Sequence, residues 1–167
     1  MDSAGNFVVV WDSYLQDGSG TGVYAQRFDS SGNALGSEFG INETTASNQS
    51  QPEVAMTATG EFVVSWTSSS QDGSGDAVVA RRFDASGNPV SGELIVNTTT
   101  SGAQSNAVID ILDSGEFIVA WQGNGVGDAD GLFAQRFQQL PLTFGIADAT
   151  VTFTGTVAEI NTALEGL

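Results

Sequence analysis

The sequence predicts an all-β chain of antiparallel four-stranded repeats. Three observations carry that prediction: one segment recurs three times at fixed spacing, the apolar residues fall in short runs rich in Val and Phe, and Gly with Asp, Asn or Ser separates one run from the next. "GNFVVVWDS" from Gly5 returns as "GEFVVSWTS" from Gly60 and as "GEFIVAWQG" from Gly115, which sets Trp11, Trp66 and Trp121 55 residues apart. Residues 5–42 and 60–97 are identical at 21 of 38 positions, so the unit is a tandem duplication.

In the middle copy the elements follow in order. Phe62 to Thr67 is one strand, Ala77 to Asp84 the next and Glu93 to Asn97 a third; Glu53 to Thr57 leads into the following unit. The joints "DSSGN", "DASGN", "TATGEF" and "DSGEF" place side chains that hydrogen-bond the local backbone beside a Gly free to take positive φ. Strands joined so tightly pair antiparallel, giving a meander. A meander of this length, repeated, predicts β-propeller-like blades; a stack of small sheets or a broad β-solenoid is the other arrangement it allows. The units run over about 1–56, 57–111 and 112–139. The third copy is one residue shorter between Trp121 and Arg136, which marks that stretch as a surface loop.

Beyond Leu140 the pattern changes. "PLTFGIADATVTFTGT" alternates as a half-buried strand pair does, and "TVAEINTALEGL" predicts a short helix with a Thr156/Glu159 capping box, an apolar face of Val157, Ile160, Ala163 and Leu164, and an end at Gly166. Residues 140–167 therefore read as the start of a second domain. Met1 falls one repeat before Met56, at an apolar strand position. The expectation is a piece of a longer polypeptide, with an incomplete ring of blades and unpaired strand edges.

Composition narrows the function. Twenty acidic residues against four Arg and no Lys give a formal charge of −16, which leaves no basic surface for nucleic acid or anionic membranes. Without Cys or His the chain cannot build a thiol nucleophile, a Ser-His-Asp triad, a zinc site or an iron–sulfur cluster. No apolar run is long enough to span a membrane.

Three of the four Arg occupy one repeated place: Arg27, Arg82 and Arg136. Each has a Trp on the neighbouring strand, so the expected roles are a guanidinium stacked on an indole or forked onto a carboxylate of an adjacent blade. A row of Arg recognising anionic sugars is the functional alternative. Repetition favours a packing role performed three times.

The loops "QDGSGTG", "QDGSGD" and "GVGDADG" hold the candidate metal ligands. Asp72 with Asp76, or Asp128 with Asp130, offers oxygens to calcium in a Gly-rich turn, and the first copy offers Asp12 and Asp17. None has the spacing of an EF-hand loop, and a solvated hairpin is the plainer explanation. Paired carboxylates for sugar hydrolysis need a singular site. Glu61 and Glu116 instead share one repeat position, with Asn6 in the first copy, so no catalytic residue is assigned. Tyr14 and Tyr24 are candidates for stacking on sugars.

Across residues 5–137 the chain resembles the tandem "FVVVW…QDGSG…GVYAQRFD" repeats of very large bacterial secreted and surface proteins, which often accompany RTX-type calcium-binding and adhesin modules. The tail "VTFTGTVAEINTALEGL" is similar to bacterial cadherin- or Ig-like repeats. The resemblance implies an extracellular or cell-surface location and contact with glycans or cell-surface proteins, beside the remaining blades of a parent polypeptide. The expected function is a non-enzymatic adhesin or exported-protein module, with calcium as the candidate cofactor. Part of a carbohydrate-active propeller and a passive spacer are the alternatives.

Overall fold

The computed structural model describes residues 1–138 and 151–155. Among them no helix occurs; eleven strands form three sheets, all of antiparallel pairs. The first sheet holds β1 (Phe7–Tyr14), β2 (Thr21–Phe28) and β3 (Phe39–Gly40). The second runs β4 (Gln49–Met56), β5 (Phe62–Ser69), β6 (Asp76–Phe83) and β7 (Leu94–Ile95), in that spatial order. The third runs β8 (Gln104–Ile111), β9 (Phe117–Gly125), β10 (Asp128–Phe137) and β11 (Val151–Gly155).

The same tight turn is used five times. In Asp2–Asn6, Asp29–Asn33, Thr57–Glu61, Asp84–Asn88 and Leu112–Glu116, the first residue's N–H donates to the fifth residue's carbonyl and its own carbonyl accepts from the Gly N–H at the fourth place. That Gly has positive φ in every copy, the geometry of a three-residue hairpin loop with a bulge. Asp2, Asp29 and Asp84 reinforce it by accepting from two backbone N–H groups and from the Asn side chain four residues on. These hydrogen bonds hold the three carboxyls below the ordinary range, the Asn side chain contributing most.

One register holds in all three central hairpins. Phe7 lies opposite Phe28, Phe62 opposite Phe83 and Phe117 opposite Phe137, their rings stacked at 5.2, 5.1 and 4.8 Å. Each such pair contributes about 0.5–1.5 kcal/mol beyond its buried area.

The alternation of side chains along a strand then packs the sheets in series. Phe62, Val64, Trp66, Val79 and Phe83 form the front of the second sheet and bury against Val8, Val10, Val23, Ala25 and Ile41 behind the first. Val63, Val78, Ala80 and Val96 form its back and bury against Phe117, Val119, Trp121, Phe133 and Phe137. The second sheet is thus covered on both sides, and β5 is buried from Phe62 to Ser68.

Several expectations shift. The third strand shrinks to two residues in the first two units, Phe39–Gly40 and Leu94–Ile95. The strand leading into each new unit begins at Gln49 or Gln104, so the sheets start ahead of the repeat boundaries. Met1 stands outside any strand and is exposed, because the turn at Asp2 precedes β1. The shortened stretch of the third copy is a hairpin turned at Val126–Gly127. Of the tail, Val151–Gly155 pairs with β10 as the edge of the third sheet. The helix expected over 156–166 lies outside the described residues.

Candidate functional site

The recurring arginines hold equivalent backbone positions, opposite Val8, Val63 and Ile118 on the neighbouring strand. None stacks on the Trp of its unit, since the tryptophans stand opposite Tyr24, Val79 and Phe133, an odd number of residues away and so on the other face. Their guanidinium partners differ. Arg27 reaches the next sheet, where its Nη1 donates to the Ala85 carbonyl at 2.6 Å. Arg136 pairs with Glu116 of its own sheet at 2.8 Å. The Arg82 guanidinium is pulled below its ordinary pKa by burial, with the Glu61 charge opposing the shift. Position 6 explains the divergence: Asn6 is held by Asp2, so Arg27 finds no carboxylate where Arg82 and Arg136 have Glu61 and Glu116.

The buried guanidinium is the one that does not recur. Arg81, 8% exposed, points to the first sheet. Its Nε donates to the Ser91 carbonyl at 3.1 Å, its Nη1 to the Ile41 carbonyl at 2.8 Å and its Nη2 to the Glu43 carboxylate, and it lies 5.5 Å over the Phe83 ring. Gln26 and Gln135 occupy the corresponding places. The one cation–π contact among the described residues is therefore on Phe, from an Arg that repeat analysis passes over.

The loop carboxylates are tied to the linkers that follow each sheet. Asp17 accepts from the Ser19 N–H at 3.0 Å, with the Asn42 amide 3.5 Å from its other oxygen; Asp72 does the same with Ser74 at 3.1 Å and Asn97 at 2.8 Å. Asn42 and Asn97 in turn accept from the Val23 and Val78 N–H groups, at 2.7 and 2.8 Å. Asp76 accepts from the Ser69 hydroxyl across its hairpin. Asp128 accepts from the Asp130 N–H and Asp130 from Gln122, both on β10 rather than in a loop. Among the described residues no three acidic side chains converge on one point.

The last Gly of each of the first two loops is there for a close approach. A Cβ on Gly75, at φ +71°, would lie 2.5 Å from the Gly102 carbonyl oxygen, and one on Gly20 would lie 2.7 Å from that of Ser47, the equivalent linker residue.

A second tie between sheets lies at Glu93, which sequence reading used only to start a strand. Its carboxylate accepts from the Glu43 N–H (2.6 Å), the Thr44 N–H (3.0 Å), the Thr44 hydroxyl (2.7 Å) and the Gln71 amide (2.7 Å). Burial alone would raise this carboxyl; the hydrogen bonds outweigh burial and hold it below the ordinary range. The recurrence of "GSEFGIN" as "SGELIVN" was the available signal. Tyr14 is exposed, while Tyr24 is partly buried on the first sheet's front face, its hydroxyl raised in pKa by burial and by Asp17 and Glu38.

No protein-family model matches the chain, and no curated protein matches it. Among solved structures the chain is similar to the crystal structure of an endo-arabinase from Bacteroides thetaiotaomicron VPI-5482, at 13% identity and a TM-score of 0.48. The match covers 86% of this chain and 55% of that one, so the chain spans about half that structure's length.

Proposed function

We propose that this chain is a non-catalytic contact module of an extracellular or cell-surface bacterial protein, built from blade-like sheets that present loops to glycans or proteins. The observation that carries the reading is that equivalent polar residues do the same architectural work in successive copies. Asp17 and Asp72 anchor loops to Asn42 and Asn97, and Asp2, Asp29 and Asp84 hold turns. A glycosidase instead requires two carboxylates set apart from such duty, one to donate a proton and one to attack or activate water.

The loops 15–20 and 70–75, braced on the linkers at Ser47 and Gly102, form the ordered end available for contact, with Tyr14 projecting beside them at 75% exposure. A glycan array run alongside a hydrolysis assay on arabinan and on the array's hits tests the reading. Binding without turnover supports it. Turnover that is lost on replacing a single carboxylate would put the chain among carbohydrate-active proteins, and neither binding nor turnover would make it a spacer.

A further inference from the structure

The first sheet lacks a strand that the other two possess. β4 pairs along one edge of β5 and β8 along the same edge of β9, whereas β1, their equivalent, ends its sheet among the described residues. The backbone groups left over can be named. The Asn6 carbonyl accepts from the Asp2 N–H at the start of that edge, as the Glu61 carbonyl accepts from the Thr57 N–H before β5. Antiparallel pairing turns alternate residues to alternate edges, so Val8, Val10 and Asp12 point their N–H and C=O groups the same way as Asn6, while Phe7, Val9 and Trp11 bond β2. On β5 the equivalent residues Val63, Ser65 and Thr67 find Ala55, Glu53 and Ser50 of β4 opposite them.

What fills this place is shown twice, and alike. Both lead-in strands begin with Gln-Ser and bulge two residues after the Gln, where Gln51 and Asn106 each take φ +55° and their side chains meet at 3.1 Å. Each leading Gln is fully buried: Gln49 accepts from the Trp66 indole at 3.0 Å, and Gln104 donates to the Ser101 and Asn124 carbonyls. Each strand then ends in an aliphatic pair, Val54 and Met56 opposite Val64 and Phe62, Ile109 and Ile111 opposite Val119 and Phe117. In the first sheet the matching positions are open. Val9 is 43% exposed, Phe7 and Trp11 are only partly buried, and the Trp11 indole has no acceptor among the described residues.

We propose that the open edge of β1 binds an extended segment of this lead-in type. It runs antiparallel to β1, with a Gln beside Trp11, a residue at positive φ two places on, and two aliphatic side chains next to Val9 and Phe7. The partner is the lead-in strand of a further copy of the repeat, joined through the backbone groups of Val8, Val10 and Asp12 and selected by those side chains. The inference does not rest on the contact role of the loops.

A blocked peptide with the sequence of residues 46–57, titrated to millimolar concentration into the isotope-labelled full chain, is the probe. Saturable shifts are expected at the Val8, Val10 and Asp12 N–H groups and at the Trp11 indole. Exchange of those three amides slows about tenfold, while Phe7 and Val9, already bonded to β2, change little. Binding is lost with a peptide carrying Ala55→Pro, which removes a pairing N–H, and weakens about fivefold with one carrying Gln49→Ala. Asp12→Pro in the chain, at an exposed residue whose N–H faces the open edge, weakens binding at a melting temperature near the parent's. No response at millimolar peptide overturns the proposal. So does an equal response to a scrambled peptide, or slowed exchange at Phe7 and Val9 in place of Val8 and Val10. Slow exchange of Val8, Val10 and Asp12 in the free chain, at twice the monomer mass, would give the edge to a second copy of β1 and overturns it as well.

Discussion

Replacing Glu93 by Ala removes the acceptor for three donors of the first sheet's linker and for the Gln71 amide of the second sheet's own loop. Hydrogen bonds to a charged group are worth about 1.5–3 kcal/mol each when desolvated. Glu93 is only about half buried, and the donors freed by the change regain water, so the net loss reduces to about 2 kcal/mol. For a chain of this size that lowers Tm by roughly 4–8 °C. The effect also has a sign in pH. Because the folded carboxyl is held below its ordinary pKa, its stabilisation is complete above the ordinary carboxylate range and disappears as pH falls through the lowered folded value. Thermal melts of the parent chain and Glu93→Ala should therefore differ at neutral pH and converge in acid. Equal Tm values at neutral pH, or a gap that widens in acid, would refute the reasoning.

Arg81→Ala leaves the Ile41 carbonyl without its donor, while the half-exposed Glu43 carboxylate regains water, and should cost about 2 kcal/mol, seen as a lower urea midpoint at unchanged slope. Arg81→Gln should cost less, since Gln stands at both equivalent positions. Gly75→Ala should cost about 1–3 kcal/mol through its left-handed backbone and its approach to Gly102, whereas Gly73→Ala, at φ +92° but in open space, pays only the backbone part; paired melts separate the two. Calcium in the millimolar range should raise Tm no more than magnesium at equal ionic strength, because Asp17 and Asp72 already accept local hydrogen bonds; a saturable calcium-specific rise would instead make the loops metal sites.

What repeats along the chain was legible, and what is made between distant segments was not. Phe7, Phe62, Phe117 and the three tryptophans announce the hairpins because strand alternation and turn chemistry are local. The Asn partners of Asp17 and Asp72 were not legible because they lie 25 residues away, beyond the reach of a loop motif. Arg81 escaped because a search for recurrence selects what is copied, and the most buried guanidinium is the exception within its repeat. Arg27, Arg82 and Arg136 share a place in the sheet, yet the residue at the end of the preceding turn, Asn6, Glu61 or Glu116, decides what each can reach. Val151–Gly155 was legible as a strand but read as part of a second domain; its place at the edge of the third sheet was hidden because its sequence abandons the repeat while its backbone keeps the pairing.

The central claim is that one sheet has been copied and packed front to back, leaving the middle copy covered on both faces. Native-state amide exchange measures that directly. The account predicts the slowest exchange in β5 and β6, with β2 exchanging faster than its equivalent β6, both being interior strands of their sheets, because among the described residues the first sheet is covered on one side only. Equal protection of β2 and β6, or greatest protection in the first sheet, would contradict it.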